Sequence, residues 1–248
     1  MVARPIHRFG AVDRLFHGAE AATADHLRPG LAALFAVAGE ASRAVRDASW
    51  TLPPVTALAD LGDVGEDTTA AVALILARNA RPFLCAGPVP AGAALLAAAR
   101  GQEAAGMGVV LISPRLDAVA PAGPSLAIGT HDLLPARDIA RWTGAGGVIV
   151  TADGIEKEGA VPVTTALARL GLRRALVLFD LGVIDTGHAA GADALNVGGL
   201  TPAGLTAVLA GLRAECAVAA LAICGLAPGR DPRGHSERLA AQVVAALA

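Results

Sequence analysis

Four aspartates sit where chemistry could be done. Asp180 follows the apolar run ALVLF directly, Asp117 comes shortly after Ile112 in SPRLD, and Asp60 and Asp63 follow VTALA. Carboxylates just past buried strands can hold divalent metals or work as general acids and bases. Asp also favours turns and helix starts, and each position taken alone reads more simply that way. His188, in DTGHAAG, is an imidazole near the Asp180 segment and a weak catalytic candidate. The bland reading is a solvated loop histidine. Gly234-His235-Ser236 places a His beside a Ser but lacks the GxSxG elbow, so it reads as helix capping. The GAGG run at 144–147 fits neither a dinucleotide fingerprint nor a P-loop and reads as a turn. His131-Asp132 reads as the opening of a loop.

Positioning these side chains requires a frame, and the sequence supplies one. Continuous apolar runs predict strands at Val55–Ala59, Phe83–Ala86, Val109–Ile112, Ser125–Ile128, Gly147–Val150, Ala175–Phe179 and Ala217–Ile223. Such runs mark strands covered on both faces. Helical segments alternate with them at Glu66–Asn79, Ala91–Arg100, Pro135–Trp142, Glu156–Leu170, Thr201–Leu212 and Ser236–Leu247. Thr201 followed by Pro202 is an N-cap and first-turn proline, and Ser236 reads as a second N-cap. Regular alternation predicts a three-layer α/β/α architecture with a mainly parallel sheet, whose site lies at the carboxyl ends of the strands. No linker divides the 248 residues, which predicts a single domain over 1–248.

Composition narrows the function classes. Apolar residues make up 54% and charged residues 17%, which implies a large core and not a disordered chain. Aromatics are 3%, so that core is packed from Ala, Val and Leu. A formal net charge of −2, with no basic run, gives no support to nucleic-acid binding. The uncharged run Pro82–Ala99 carries three prolines and two glycines, so it reads as strand–turn–helix and not as a membrane span. No secretory signal is visible at the start. Cys85, Cys216 and Cys224 lack metal spacing and read as buried thiols in a reducing cytoplasm.

Taken together, the segments resemble the ureohydrolase (arginase/agmatinase) superfamily, in that family's order. Ala59–Val64 (ADLGDV) matches a family strand end. Arg28-Pro29-Gly30 resembles an RPG near the substrate. Phe179–Thr201 aligns without a gap to FDxDxxDPxxxPGxGTPEPGGLT, and Asp231–Val244 to the ending DPxGxTxxLAAxLV. The resemblance implies an arginase-like fold. It also implies, for active members, two divalent metals held by His and Asp side chains, with a bridging hydroxide that attacks a guanidinium carbon.

The departures from that pattern fall on the chemistry. The family's GGDHS is AGPVP here, placing Val89 where a His ligand belongs. DAHxD is SPRLD, so Ser113 replaces an Asp, Arg115 replaces a His, and Asp117 survives. In FDLG, Asp180 survives and Gly182 stands where the next Asp ligand belongs. The guanidinium-holding Glu of PEPGG is Asn196. Val and Gly offer no donor atom, and a guanidinium repels metal. The expectation is a lost metal site with residual carboxylates Asp117 and Asp180, bridged by Arg115. Loop-shaping residues Gly87, Asp185, Gly191, Gly198 and Gly199 persist.

A frame without its chemistry implies a useful surface. The resemblance implies a non-catalytic subunit assembled with an active paralogue, similar in kind to the inactive subunit of biguanide (metformin) hydrolases, or a homo-oligomer. No cofactor is expected in this chain, with manganese or nickel in the active partner. The rival expectations are a metal-poor or metal-independent C–N hydrolase using Asp117, Asp180 and His188, and a small-ligand binding protein using Arg115 and Asn196.

Overall fold

The structure is a computed structural model that describes residues 12–18, 57–63, 75, 81–85, 89, 92, 93, 96, 97, 99, 107–121 and 123–247. Eight strands form one sheet: β1 Val12–Gly18, β2 Ala57–Asp63, β3 Arg81–Cys85, β4 Gly108–Ile112, β5 Ser125–Thr130, β6 Val148–Thr151, β7 Arg174–Asp180 and β8 Ala217–Cys224. Their order is β2-β1-β3-β8-β7-β4-β5-β6, and every neighbouring pair is parallel. The five helices with described bounds are α1 Ala136–Gly144, α2 Ala152–Glu158, α3 Val161–Leu170, α4 Pro202–Glu215 and α5 His235–Leu247.

Both faces of strands β4, β5, β7 and β8 are buried, for a reason visible residue by residue. Successive side chains of a strand point to opposite faces. Along β7, Ala175, Val177 and Phe179 enter one core cluster while Leu176 and Leu178 enter the other. Along β8, Leu221 and Ile223 face the first, and Ala220, Ala222 and Cys224 the second. Helices α2, α3, α4 and α5 bring apolar stripes to the first cluster. Leu96, Ala99 and Trp142 help close the second. This is the expected three-layer arrangement, with a sheet that is parallel at every pairing.

Several details differ from expectation. Strand β2 runs over Ala57–Asp63 and not Val55–Ala59, so Asp60 and Asp63 lie within the strand and not after it. Strand β1 (VDRLFHG) has no continuous apolar run, so the pattern criterion passes over it. It is a strand because its backbone pairs on both sides, with β2 and β3. The single helix expected over Glu156–Leu170 is two helices. Gly159 ends α2 at φ 64°, and Pro162 opens α3, so one chain reversal separates them. The last helix begins at His235, one residue before the expected cap. Ser236 is fully buried inside its first turn, and its N–H donates to Asp231 Oδ2 at 2.8 Å. The Asp231 carboxylate therefore does the capping.

The Thr201 cap is as expected: its hydroxyl accepts from Gly204 N–H at 3.1 Å. Glu156 of α2 adds a second brace by accepting from Thr201 N–H at 2.8 Å and from its hydroxyl. Among the described residues, no helix is long and apolar enough to cross a membrane. Of the expected helix over Glu66–Asn79 only Ile75 is described, and it is helical and buried; the RPG at 28–30, the loop at Pro53-Pro54 and Gly87 lie outside the described residues, as does the side chain of Cys85. The 144–147 run is the turn between α1 and β6.

Candidate functional site

The register of three central strands builds the site. Ile112 of β4 lies opposite Phe179 of β7, and Asp180 of β7 lies opposite Cys224 of β8. The next residue along β4 is Ser113, so its side chain meets Asp180 across one strand spacing. Ser113 Oγ donates to Asp180 Oδ2 at 3.0 Å, and Gly182 N–H donates to Asp180 Oδ1 at 3.0 Å. Ser113 Oγ itself accepts from Arg115 N–H at 3.3 Å. Asp180 is buried, and so is Ser113.

Burial dominates the electrostatics of Asp180 and pushes its carboxyl above the usual range. The Gly182 N–H, the Ser113 hydroxyl and the nearby Arg115 charge act in the opposite direction without reversing it. The backbone leaves no slack on the other flank. Gly225 has φ 77°, and a Cβ there would sit 2.6 Å from Asp180 Oδ1. Burial, reinforced by the Asp180 carboxylate, pushes the adjacent Cys224 thiol far up, so it is inert. Cys216 is also a buried free thiol, pushed up to about 11 by burial.

Each residue singled out by sequence has a place. Val89 lies in a helical turn, half-buried against the second core cluster. Gly182 is buried in the 3-10 turn after β7, and a Cβ there would lie 3.2 Å from Asp180 Oδ1 and 3.3 Å from Asn196 Nδ2. Asn196 Nδ2 donates to Gly182 O at 3.2 Å. Asn196 thus tethers the loop to the turn beside Asp180, using its amide nitrogen on backbone. His188 is exposed, and its backbone N–H donates to Asp185 O at 2.8 Å. Asp60 and Asp63 lie on the edge strand β2, with β1, β3 and β8 between them and the strand that carries Asp180.

The expected Arg115 bridge between Asp117 and Asp180 does not form. Arg115 is exposed and pairs with Asp117, with Nε–Oδ1 at 3.7 Å. The side-chain hydrogen bond to Asp180 comes from Ser113 instead. Asp117 points to a solvent-facing groove and not to Asp180, so the two residual carboxylates do not share a cavity. An exposed ion pair of this kind is worth under about 1 kcal/mol. Arg115→Met is therefore expected to leave the melting temperature of the purified chain within about 2 °C of the parent, measured by calorimetry.

The sequence marks Asp185, Gly191 and Gly198 as loop-shaping, and the structure adds the partners that clasp the loop after Asp180. Asp185 accepts from Gly187 N–H at 2.8 Å and Gly198 N–H at 2.9 Å. The Gly198 bond, and then the Gly187 bond, hold its carboxyl below the usual range. Arg230 donates to the carbonyls of Ala192 and Asp193. Gly191 N–H donates to Ser236 Oγ at 2.9 Å, and Ser236 Oγ donates to Asp231 Oδ2 at 2.8 Å. Asp231 is pushed up by burial, but its bonds from Ser236 and Arg233 outweigh this and hold it below the usual range. At the end of β5, His131 Nδ1 donates to Gly129 O at 2.8 Å, while its Nε2 and Thr130 Oγ1 are buried without a hydrogen-bond partner among the described residues.

The donor set does not suit a binuclear metal centre. Val89 and Gly182 carry no donor, Arg115 is a cation, and both Asp180 oxygens already accept hydrogen bonds. Among the described residues, no three His, Cys, Asp or Glu side chains gather as a metal site.

A parallel α/β sheet with a site at the ends of its central strands is the architecture of arginase-like proteins. The arginase family model matches residues 119–248, and the chain belongs to that family. The structure is similar to a hypothetical agmatinase from Burkholderia thailandensis (TM-score 0.77, 17% identity, covering 96% of this chain and 84% of that one). It is also similar to proclavaminate amidino hydrolase from Streptomyces clavuligerus (TM-score 0.75, 20% identity, 96% and 91%). A third similar structure is a formiminoglutamase from Trypanosoma cruzi with Mn2+ (TM-score 0.74, 17% identity, 97% and 93%). Comparison with curated proteins gives no match.

Proposed function

We propose that this arginase-family chain is a catalytically inactive subunit, structural or regulatory, of a hetero-oligomeric C–N hydrolase acting on guanidino or biguanide compounds. The observation that supports this most is the internal closure of Asp180. A carboxylate in a two-metal centre stands among further donor side chains; here the groups that meet Asp180 are the Ser113 hydroxyl and the Gly182 N–H, one on each oxygen. The flanking positions contribute Val89, Arg115 and Gly182, none of which can ligate a cation.

The intact clasps fit the same reading. Asp185, Arg230, Asp231 and Ser236 fix the loop after β7 although no ligand set remains among the described residues for it to organise. A fold whose loops stay fixed presents a fixed surface. The catalytic step then belongs to a partner that carries the GGDHS and DAHxD motifs and the manganese or nickel they hold.

The test is urea release from guanidino compounds. The chain alone, supplied with manganese or nickel, is expected to show no turnover above buffer. Mixed with a paralogue bearing intact motifs, it is expected to co-elute with that paralogue and raise its activity or its thermal half-life. Turnover by the chain alone would sink the proposal.

A further inference from the structure

We infer that α4 is capped by a box shared between two helices: Glu156 of α2 supplies in trans the carboxylate that such a box takes from α4 itself, and so locks the end of the loop after β7 to α2. In an ordinary capping box, the N-cap Ser or Thr accepts from the N–H of the third helical residue. A Glu or Gln at that third position reaches back to the N-cap N–H. Half of this is local to α4. Thr201 is the N-cap, Pro202 is the first helical residue, and Thr201 Oγ1 accepts from Gly204 N–H at 3.1 Å. The third position is therefore Gly204, which has no side chain to reach back with.

The returning bond is made all the same. Thr201 N–H donates to Glu156 Oε1 at 2.8 Å, across 45 residues of sequence. The Thr201 hydroxyl, which accepts from Gly204, turns its own hydrogen to the same carboxylate, with Oε1 at 3.1 Å and Oε2 at 3.0 Å. That carboxylate also stands in the space of the missing side chain. A Cβ on Gly204 would collide with Glu156 Oε1 and lie 3.0 Å from its Cδ. Gly204 is helical and its φ is not in the left-handed region, so the backbone does not call for glycine there. Glycine within a helix ordinarily costs stability. Here it makes room for a carboxylate that the helix start favours.

The shared box has a mechanical consequence. Leu200, one residue before the cap, donates its N–H to Val183 O at 2.8 Å and accepts from Asp185 N–H at 3.0 Å. The capped turn is thus continuous with the clasped loop after β7. A box made within α4 would let that turn form whatever α2 did. A box completed by α2 makes the two form together. The inference goes beyond the subunit reading and does not depend on it, since the interlock serves an active or an inactive chain equally.

Amide hydrogen exchange of the full chain over residues 185–205, read beside the melting temperature, tests this. Glu156→Ala is expected to speed exchange in that segment about fivefold, the scale of one lost cap, and to lower the melting temperature. Glu156→Gln keeps an accepting oxygen and is expected to stay close to the parent. Gly204→Glu sets a second carboxylate against the first and is expected to lower the melting temperature of the parent. In the Glu156→Ala chain the same substitution supplies the box from within α4. There it is expected to raise the melting temperature and restore protection. Parent-like exchange in Glu156→Ala, a Gln that behaves as Ala, or a Gly204→Glu that lowers the melting temperature in both backgrounds would each overturn the inference.

Discussion

Asp231→Ala is expected to destabilise the fold by about 2–4 kcal/mol, because it strands two buried donors at once. Ser236 is fully buried, and both its N–H and its hydroxyl donate to Asp231 Oδ2 at 2.8 Å. The hydroxyl in turn accepts from Gly191 N–H in the loop after β7. Removing the carboxylate therefore uncaps α5 and loosens that loop together. For a chain of this size the melting temperature should fall on the order of 10 °C. The pH dependence carries a sign. The folded Asp231 carboxyl is held below its ordinary value, so its contribution is present above about pH 4 and lost as pH falls through the lower folded value. The difference in melting temperature between D231A and the parent should shrink under acid. Calorimetry from neutral to strongly acidic pH checks both points, and a difference constant with pH would contradict the assignment.

Asp180→Asn is expected to act in the opposite direction. In a chain that used this carboxylate to hold a metal, the substitution would be damaging. Here it removes a buried charge whose main influence is desolvation. The amide can still accept from Gly182 N–H, and Ser113 can turn its hydroxyl to accept from the new amide nitrogen. The expected gain at neutral pH is about 0.5–1 kcal/mol, the scale of a single relieved liability. Because the folded carboxyl is raised, the parent holds its full stability below about pH 4 and loses some as pH rises through the folded value. The advantage of D180N should therefore be absent in acid and appear on going toward neutral. Ser113→Ala, which leaves Asp180 Oδ2 short of a donor, should cost about 1–3 kcal/mol. Calorimetry of the three proteins across pH checks these values. A destabilised D180N would mean that the carboxylate contributes more than the burial argument allows.

Much of this is legible in the sequence, and the reasons are specific. Strands β4, β5, β7 and β8 are covered on both faces, so they read as unbroken apolar runs. Asp180 is placed by the same signal, because it ends such a run. The pattern fails at β1, where identity comes from backbone pairing on both sides and not from side-chain alternation. It fails again at Gly159, although EGAVP carries both a helix-ending glycine and a helix-opening proline.

Within the site, the positions where the family pattern sets ligands can be read as Val89, Ser113, Arg115 and Gly182, because the residue type fixes which atoms are available. The contacts made there cannot be read the same way. Arg115 stands out as a charge, but its side chain points to solvent, and the neutral Ser113 carries the bond to Asp180. Ser113 follows the Ile112–Phe179 pair and so stands beside Asp180, close enough for a short hydroxyl to reach the carboxylate. The Asp231–Ser236–Gly191 clasp spans 45 residues between Gly191 and Ser236, and no local pattern announces such a contact.

On the proposed reading, the positions that hold metal in active arginase-family sites hold none in this chain. Metal content of the purified chain, loaded separately with manganese and with nickel and then desalted, tests it directly. No retained metal is expected with either ion. About two metals per chain would contradict it outright, and one per chain would return Asp180 to catalytic service.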